Sequence, residues 1–467
     1  MRRFLLTTAL LTTVSYSFAD ESKVKYLEEQ IKFLQQQIED LKRFQQEQIV
    51  VKEETEALKE EIRQLKLESV IGELEVKSYY GLGPAASKAM FNKKGVSIGG
   101  YGELTFVHND VNARGGAKSI ANAQRFILYL GYAFNEKLKF NSELELEHAS
   151  TSVSHGTGGG YYKAELAFLD YNFNEKFGIR GGLLLMPVGI INEYHEPPTF
   201  PTAQRPFTET RIIPTTWEEM GVGAYGKVGN LEYKLYLTNG LMLKGAGDYD
   251  TLEPTKNIRQ RGSRAVADRY GITGRLDYNL PYNLKVGASF WTGDIQSKGG
   301  ADSLLGLRRG SDIGDFTIVS PHLWWQHSGW DVRAVAAFVD VGDSLRISKD
   351  LFGNNIQGGS GSGAKKNNIL PSKQQAYYFQ VAYDVFRLVG ITNQELYLFG
   401  VYEDIDTHKE VPSGFLKPTG HKLKVYNLGF SYKPHPLVAL KADYIKLDYS
   451  ENKKDENLYR LTLGFMF

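Results

Sequence analysis

Cysteine is missing from the chain. That excludes disulfides, thiolate metal ligands, a thiol nucleophile and a lipoprotein anchor, so an oxidising compartment is tolerated and backbone pairing and packing must hold the fold. Long apolar runs are missing too. After Val14 no stretch approaches the roughly 18 residues of a membrane helix, so any membrane crossing would have to be made by strands. An excess of one charge is also lacking: the formal net charge is +1 over 467 residues, and no nucleic-acid partner is expected. Catalytic motifs do not appear. The nine His residues have no His-Glu-x-x-His spacing, there is no Gly-x-Ser-x-Gly elbow or P-loop, and Gly99-Gly-Tyr-Gly102 lies in a strand, where glycine suits a curved wall. His322 and His327 read as members of a strand that carries Trp324 and Trp325 to an interface. Neither enzyme activity, a cofactor nor a metal is expected.

What is there is aromatic, glycine-rich and alternating, with 28 Tyr, 25 Phe and 48 Gly. In the last segment Tyr459, Leu461, Leu463, Phe465 and Phe467 alternate with Arg460, Thr462, Gly464 and Met466. Period two sends one set to lipid and the other to a polar lumen. At the other end, Arg2-Arg3, the apolar run from Phe4 to Val14 and Ser17-Phe-Ala19 read as a secretory signal peptide over 1–19.

Residues 20–72 are rich in Glu, Gln, Lys and Leu and contain no Pro. Val24, Leu27, Ile31, Leu34, Ile38 and Leu41 step by three and four, which predicts a long helix with a coiled-coil seam. The series resumes at Phe44 and runs through Val51, Leu58, Ile62 and Leu65, so the step from Leu41 to Phe44 is a stammer. Self-association is expected. The seam chemistry favours two strands, against the three implied by the resemblance below. A linker over 73–95, with Gly81-Leu-Gly-Pro84, is expected to break the helix before a barrel domain at 96–467.

Beyond Gly95 the chain reads as strand pairs. Tight turns are predicted at 135–137, 174–176, 229–230, 281–282, 328–329, 390–393 and 434–436. Long loops are predicted near 108–121, 150–161, 190–216, 240–267, 296–314, 342–373, 405–421 and 450–456. Seven turns plus eight loops join sixteen strands, which predicts an all-β fold: an antiparallel transmembrane barrel of about 16 strands behind the coiled coil. Trp217, Trp291, Trp324, Trp325 and Trp330 are expected in interfacial girdles.

This pattern resembles the trimeric porins of Gram-negative bacteria. Gly95-Val-Ser-Ile-Gly-Gly-Tyr-Gly-Glu103, His195-Glu-Pro-Pro-Thr199 and Arg211-Ile-Ile-Pro-Thr-Thr-Trp217 resemble segments of the phosphate-selective, or O/P-type, porin family. The resemblance implies outer-membrane lipid around the wall and passage of small hydrophilic solutes or anions. It implies a third loop folded into the lumen, with Glu193, His195, Glu196, Arg205, Glu209 and Arg211 at the constriction. Five prolines would stiffen that loop. Lumen-facing Arg125, Arg180, Arg269, Arg275, Arg333 and Arg460 read as an anion-attracting wall, opposed by Glu143, Glu145, Glu147, Glu165 and Asp443. The alternative is a structural barrel that tethers the envelope to peptidoglycan through its coiled coil.

Overall fold

The computed structural model describes residues 21–65, 74–112, 116–149, 160–243, 250, 252–300, 303–352, 369–450 and 453–467. The signal peptide expected over residues 1–19 lies outside the described residues. The chain divides into two units, 1–67 and 68–467. In the first, α1 (Glu21–Leu65) is one continuous helix, and Leu27, Ile31, Leu34, Ile38 and Leu41 on its seam are all exposed.

In the second unit one sheet closes on itself. Its staves are β1 (Gly95–Asn109), β2 (Ser119–Ala133), β3 (Leu138–Glu147), β4 (Tyr162–Asn174), β5 (Phe177–Leu185), β6 (Glu218–Val228), β7 (Leu231–Asn239) and β8 (Tyr270–Leu280). They continue as β9 (Leu284–Gln296), β10 (Asp312–His327), β11 (Trp330–Val341), β12 (Lys373–Asp384), β13 (Glu395–Glu410), β14 (Lys422–His435), β15 (Val438–Tyr449) and β16 (Glu456–Met466). Neighbours in sequence pair antiparallel, and a separate two-residue bridge, Leu241–Met242, adds a parallel contact to β9. Closure comes from β1 against β16, from Tyr101↔Met466 to Asn109↔Leu458. Phe467 then exchanges two backbone hydrogen bonds of 2.9 Å with Gly100. The glycines of the first strand have a reason here: a Cβ on Gly100 or Gly102 would collide with the rings of Phe467 and Phe465.

Each predicted turn and long loop meets a connection between strands, but residues 405–410 belong to β13 and residues 434–435 to β14. One of the two-residue turns is Ser328-Gly329, both left-handed with φ 49° and 87°, closing His327↔Trp330 in the geometry that follows the twist of a hairpin. The faces also follow the alternation. In β8, Tyr270, Ile272, Leu276 and Tyr278 stand exposed while Thr273, Arg275 and Asp277 are buried. In β16, Tyr459 and Leu461 are exposed while Arg460 and Thr462 are buried. An outward belt of this kind is apolar surface that lipid can solvate.

Two expectations need correction. The stretch read as a linker carries a helix, α2 (Pro84–Phe91), whose Ala85, Ala86, Ala89 and Met90 are buried. It packs on the inner wall: Asn141 on β3 donates to the Ala86 carbonyl at 2.7 Å, and a Cβ on Gly131 of β2 would strike Ala89. Proline at its start removes an N–H that a first turn leaves unpaired anyway. The tryptophan girdle is smaller than expected. Trp217 and Trp291 are fully buried, 5.8 Å apart, and pack with Phe316 in an internal cluster. Trp324 turns inward under the Arg333 guanidinium, 4.4 Å from its ring, and against Tyr194. Loop and wall residues thus build an apolar core inside the barrel, which the alternation alone cannot signal.

Candidate functional site: the third loop on the inner wall

The loop between β5 and β6, residues 186–217, is tied to lumen-facing side chains around most of the barrel. At its start Gly189 donates to Ser289 Oγ on β9 at 3.1 Å, and Arg275 on β8 donates to the Gly189 carbonyl. In its middle the Lys441 ammonium on β15 reaches the carbonyls of Pro197, Phe200 and Thr202 at 2.6, 2.6 and 2.9 Å. Arg333 on β11 donates to the Thr199 carbonyl at 2.7 Å, and the Ala203 N–H donates to Asp443 at 3.1 Å. Further on, Glu403 on β13 accepts from the N–H groups of Phe207 and Thr208 at 2.9 and 2.6 Å. The loop's end is pinned from within, where Trp217 N–H donates to Asn192 Oδ1 at 2.8 Å. Buried backbone polar groups of an irregular segment must find partners, and the inward-facing charges of the strands supply them.

The six loop residues expected at a constriction divide into two sets. Four are buried and engaged. Glu193 ion-pairs with Lys234 on β7. Glu196 accepts from Ala85 and Ala86 N–H at 3.0 and 2.9 Å, so it caps the N-terminus of α2, where the positive end of the helix dipole favours a negative charge. Glu209 accepts from Ile190 and Ile191 N–H at 2.9 and 2.7 Å and from the Tyr378 hydroxyl at 2.8 Å. Burial pushes both Glu196 and Glu209 up to about 7, with the backbone N–H groups pulling the other way. His195 donates from Nδ1 to the Asn192 carbonyl at 2.9 Å and turns Nε2 toward Glu143 at 3.3 Å; burial, with Arg205 next, pushes its imidazole down to about 4. The other two, Arg205 and Arg211, are half-buried. Arg211 stacks on Phe207 at 5.2 Å and touches the Tyr449 hydroxyl at 3.4 Å, and Arg205 keeps a buried nitrogen with no hydrogen-bond partner.

The arginine wall also reads differently in three dimensions. Arg180 pairs with Asp170 at 3.0 Å, Arg275 with Asp277 at 2.7 Å, Arg333 with Asp331 at 2.7 Å, Arg460 with Asp443 at 2.6 Å, and Arg125 with Glu103 at 3.0 Å. Five of the six expected anion attractors are therefore neutralised by an acid beside them. Arg269 stands exposed just outside β8. Glu143 and Glu145 are buried on β3, next to the strand that carries Arg125, beside Glu165 and Glu218. Lys163 serves three of these acids, Glu145 at 3.7 Å, Glu165 at 2.8 Å and Glu218 at 3.1 Å.

Sequence reasoning missed Lys234, Glu403, Tyr378 and Lys441 as holders of the loop. Their signal was available for Lys441: it sits two residues before Asp443 in a strand whose Leu440 and Tyr444 point out.

No family model matches the chain. An uncharacterised protein of Aquifex aeolicus (strain VF5) is 48% identical over 404 residues, spanning 86% of each chain. The chain belongs to the family of that protein. Among solved structures, Salmonella typhi OmpF in complex with daunomycin aligns with a TM-score of 0.50 at 11% identity, over 80% of this chain and 98% of that one. An anion-selective porin from Comamonas acidovorans aligns at 0.49 with 11% identity, over 80% and 100%. The trimer form of OmpT from Vibrio cholerae aligns at 0.45 with 11% identity, over 80% and 100%. At such identity the OmpF likeness shows the fold, a closed barrel of the porin type.

Proposed function

We propose that this chain is an outer-membrane channel, not an enzyme, through which small hydrophilic solutes diffuse passively. The third loop narrows it, and Arg205 and Arg211 give it a mild preference for anions, phosphate among them. The observation that carries this reading is the anchorage of residues 186–217 to inward-facing side chains from Lys234 on β7 to Arg460 on β16, which donates to Gln204 Oε1 at 3.2 Å. A barrel of sixteen strands is too wide for its own side chains to fill, and a segment fixed across it sets the remaining bore. With five of the six strand arginines paired, Arg205 and Arg211 are the positive charge left at the narrowing to act on a passing ion. The exposed seam of α1 supports self-association through that helix, in the periplasm.

Purified mature protein in planar bilayers under a salt gradient tests the reading. Discrete conductance steps are the expected result. Folded, heat-modifiable protein without conductance contradicts it and favours a plugged barrel that tethers the envelope. The tether is then measured by peptidoglycan binding of the full chain against a chain lacking residues 20–72.

A further inference from the structure

Beneath the third loop three electron-pair donors converge. Glu143 comes from β3, Glu165 from β4 and His195 from the loop, and one ligand atom of each lies within 4.8 Å of the other two. All three are buried, with exposures of 0, 0 and 2%. The strand is bent to achieve this. Leu166 pairs with Glu143 while Ala164 pairs with Leu144, so Glu165 is the extra residue of a β-bulge. Glu165 and Leu166 are consequently both buried, where a regular strand would send one of them to lipid.

With both carboxyls ionised the hydrogen-bond network does not close, although the Tyr101 hydroxyl reaches Glu143 Oε1 at 3.4 Å. His195 spends its Nδ1–H on the Asn192 carbonyl, which leaves the neutral ring with a lone pair on Nε2, aimed at Glu143 Oε1 at 3.3 Å and Glu165 Oε2 at 4.0 Å. A histidine held through one nitrogen by a backbone carbonyl, with the other facing carboxylates, is the arrangement that orients a metal ligand. Glu143 Oε2 and Glu165 Oε2, both buried, accept no hydrogen bond. The Lys163 ammonium, 2.8 Å from Glu165, is on the other oxygen, Oε1. Oxygens left like this cost free energy unless a cation or proton joins them.

We propose that Glu143, Glu165 and His195 form a binding site for one first-row divalent cation, with Zn2+ as the test ion. One imidazole nitrogen and two carboxylate oxygens are a donor set for such ions. The 3.3 Å between Glu143 and His195 already matches the edge of a tetrahedron with bonds of about 2.0–2.1 Å. Glu165 closes the remaining distance by a side-chain shift. The ion would clip the loop to β3 and β4, on the wall where it lacks the arginine contacts it has elsewhere.

Untagged, folded protein stripped with EDTA and titrated with ZnCl2 in a calorimeter should bind one ion per chain. Glu143→Gln and His195→Gln should each weaken that binding by at least about tenfold. Co2+ in the wild-type protein supplies a second readout: its visible spectrum should show a nitrogen ligand that His195→Gln removes. Affinity unchanged in both variants, or anomalous scattering that puts Zn2+ elsewhere in wild-type crystals, overturns the proposal.

Discussion

The two sides of the inner wall handle buried charge in opposite ways. From β8 to β16 the arginines are matched with acids, Asp277 with Arg275, Asp331 with Arg333 and Asp443 with Arg460, and the pairs keep N–H groups to spare for the third loop. On β3, β4 and β6 the acids Glu143, Glu145, Glu165 and Glu218 gather around Lys163, and several of their oxygens accept nothing. Paired charge is structure: it fixes a loop without leaving a field for ions to follow. Under-partnered charge in the same interior is costly on its own, and it is where a ligand has something to supply.

Removing one member of a matched pair should produce the largest effect. Asp331→Ala strands Arg333, which is 1% exposed, and should cost about 3–5 kcal/mol in denaturant unfolding of the refolded barrel. Lys441→Met keeps the side-chain volume but removes the ammonium from three loop carbonyls. A loss on the order of 3 kcal/mol is expected there, together with earlier proteolysis of residues 197–206. Glu196→Ala uncaps α2 and should cost about 1–2 kcal/mol. Glu143→Gln belongs to the under-partnered side and should show the smallest effect in EDTA, within about 0.5 kcal/mol of the parent or slightly more stable. A large loss for Glu143→Gln in EDTA would erase the distinction between the two sides.

The barrel was legible because its signals are local. Period-two alternation and turn residues such as Ser328-Gly329 or Asn174-Glu-Lys176 need no knowledge of the rest of the chain, and they located every connection, with two strand ends at Glu410 and His435 running past the expected boundary. The neutral arginine wall was legible in principle and still misread. Asp331 and Arg333 share a strand face by their spacing, and Asp170 and Arg180 are equidistant from Glu175 in the turn, which is their observed register. Trp217 and Trp291 were not legible, because an aromatic at a strand end serves an interface or an internal core equally well, and only the path of the loops decides. The roles of Glu196 and His195 lie further out of reach. One caps a helix more than a hundred residues upstream, and the other meets acids that a β-bulge has re-aimed. α2 itself was hidden by Gly81 and Pro84, which read as breakers although proline in a first turn starts a helix.

The reversal potential of the wild-type channel, compared with that of the Arg205→Ala, Arg211→Ala double variant under the same salt gradient, is the most direct measurement. If the strand arginines are neutralised and the third loop carries the residual positive charge, the wild type is mildly anion-selective and the double variant shifts toward cations with its conductance kept or raised. An unchanged reversal potential in the double variant would contradict it, and would return the selectivity to the wall.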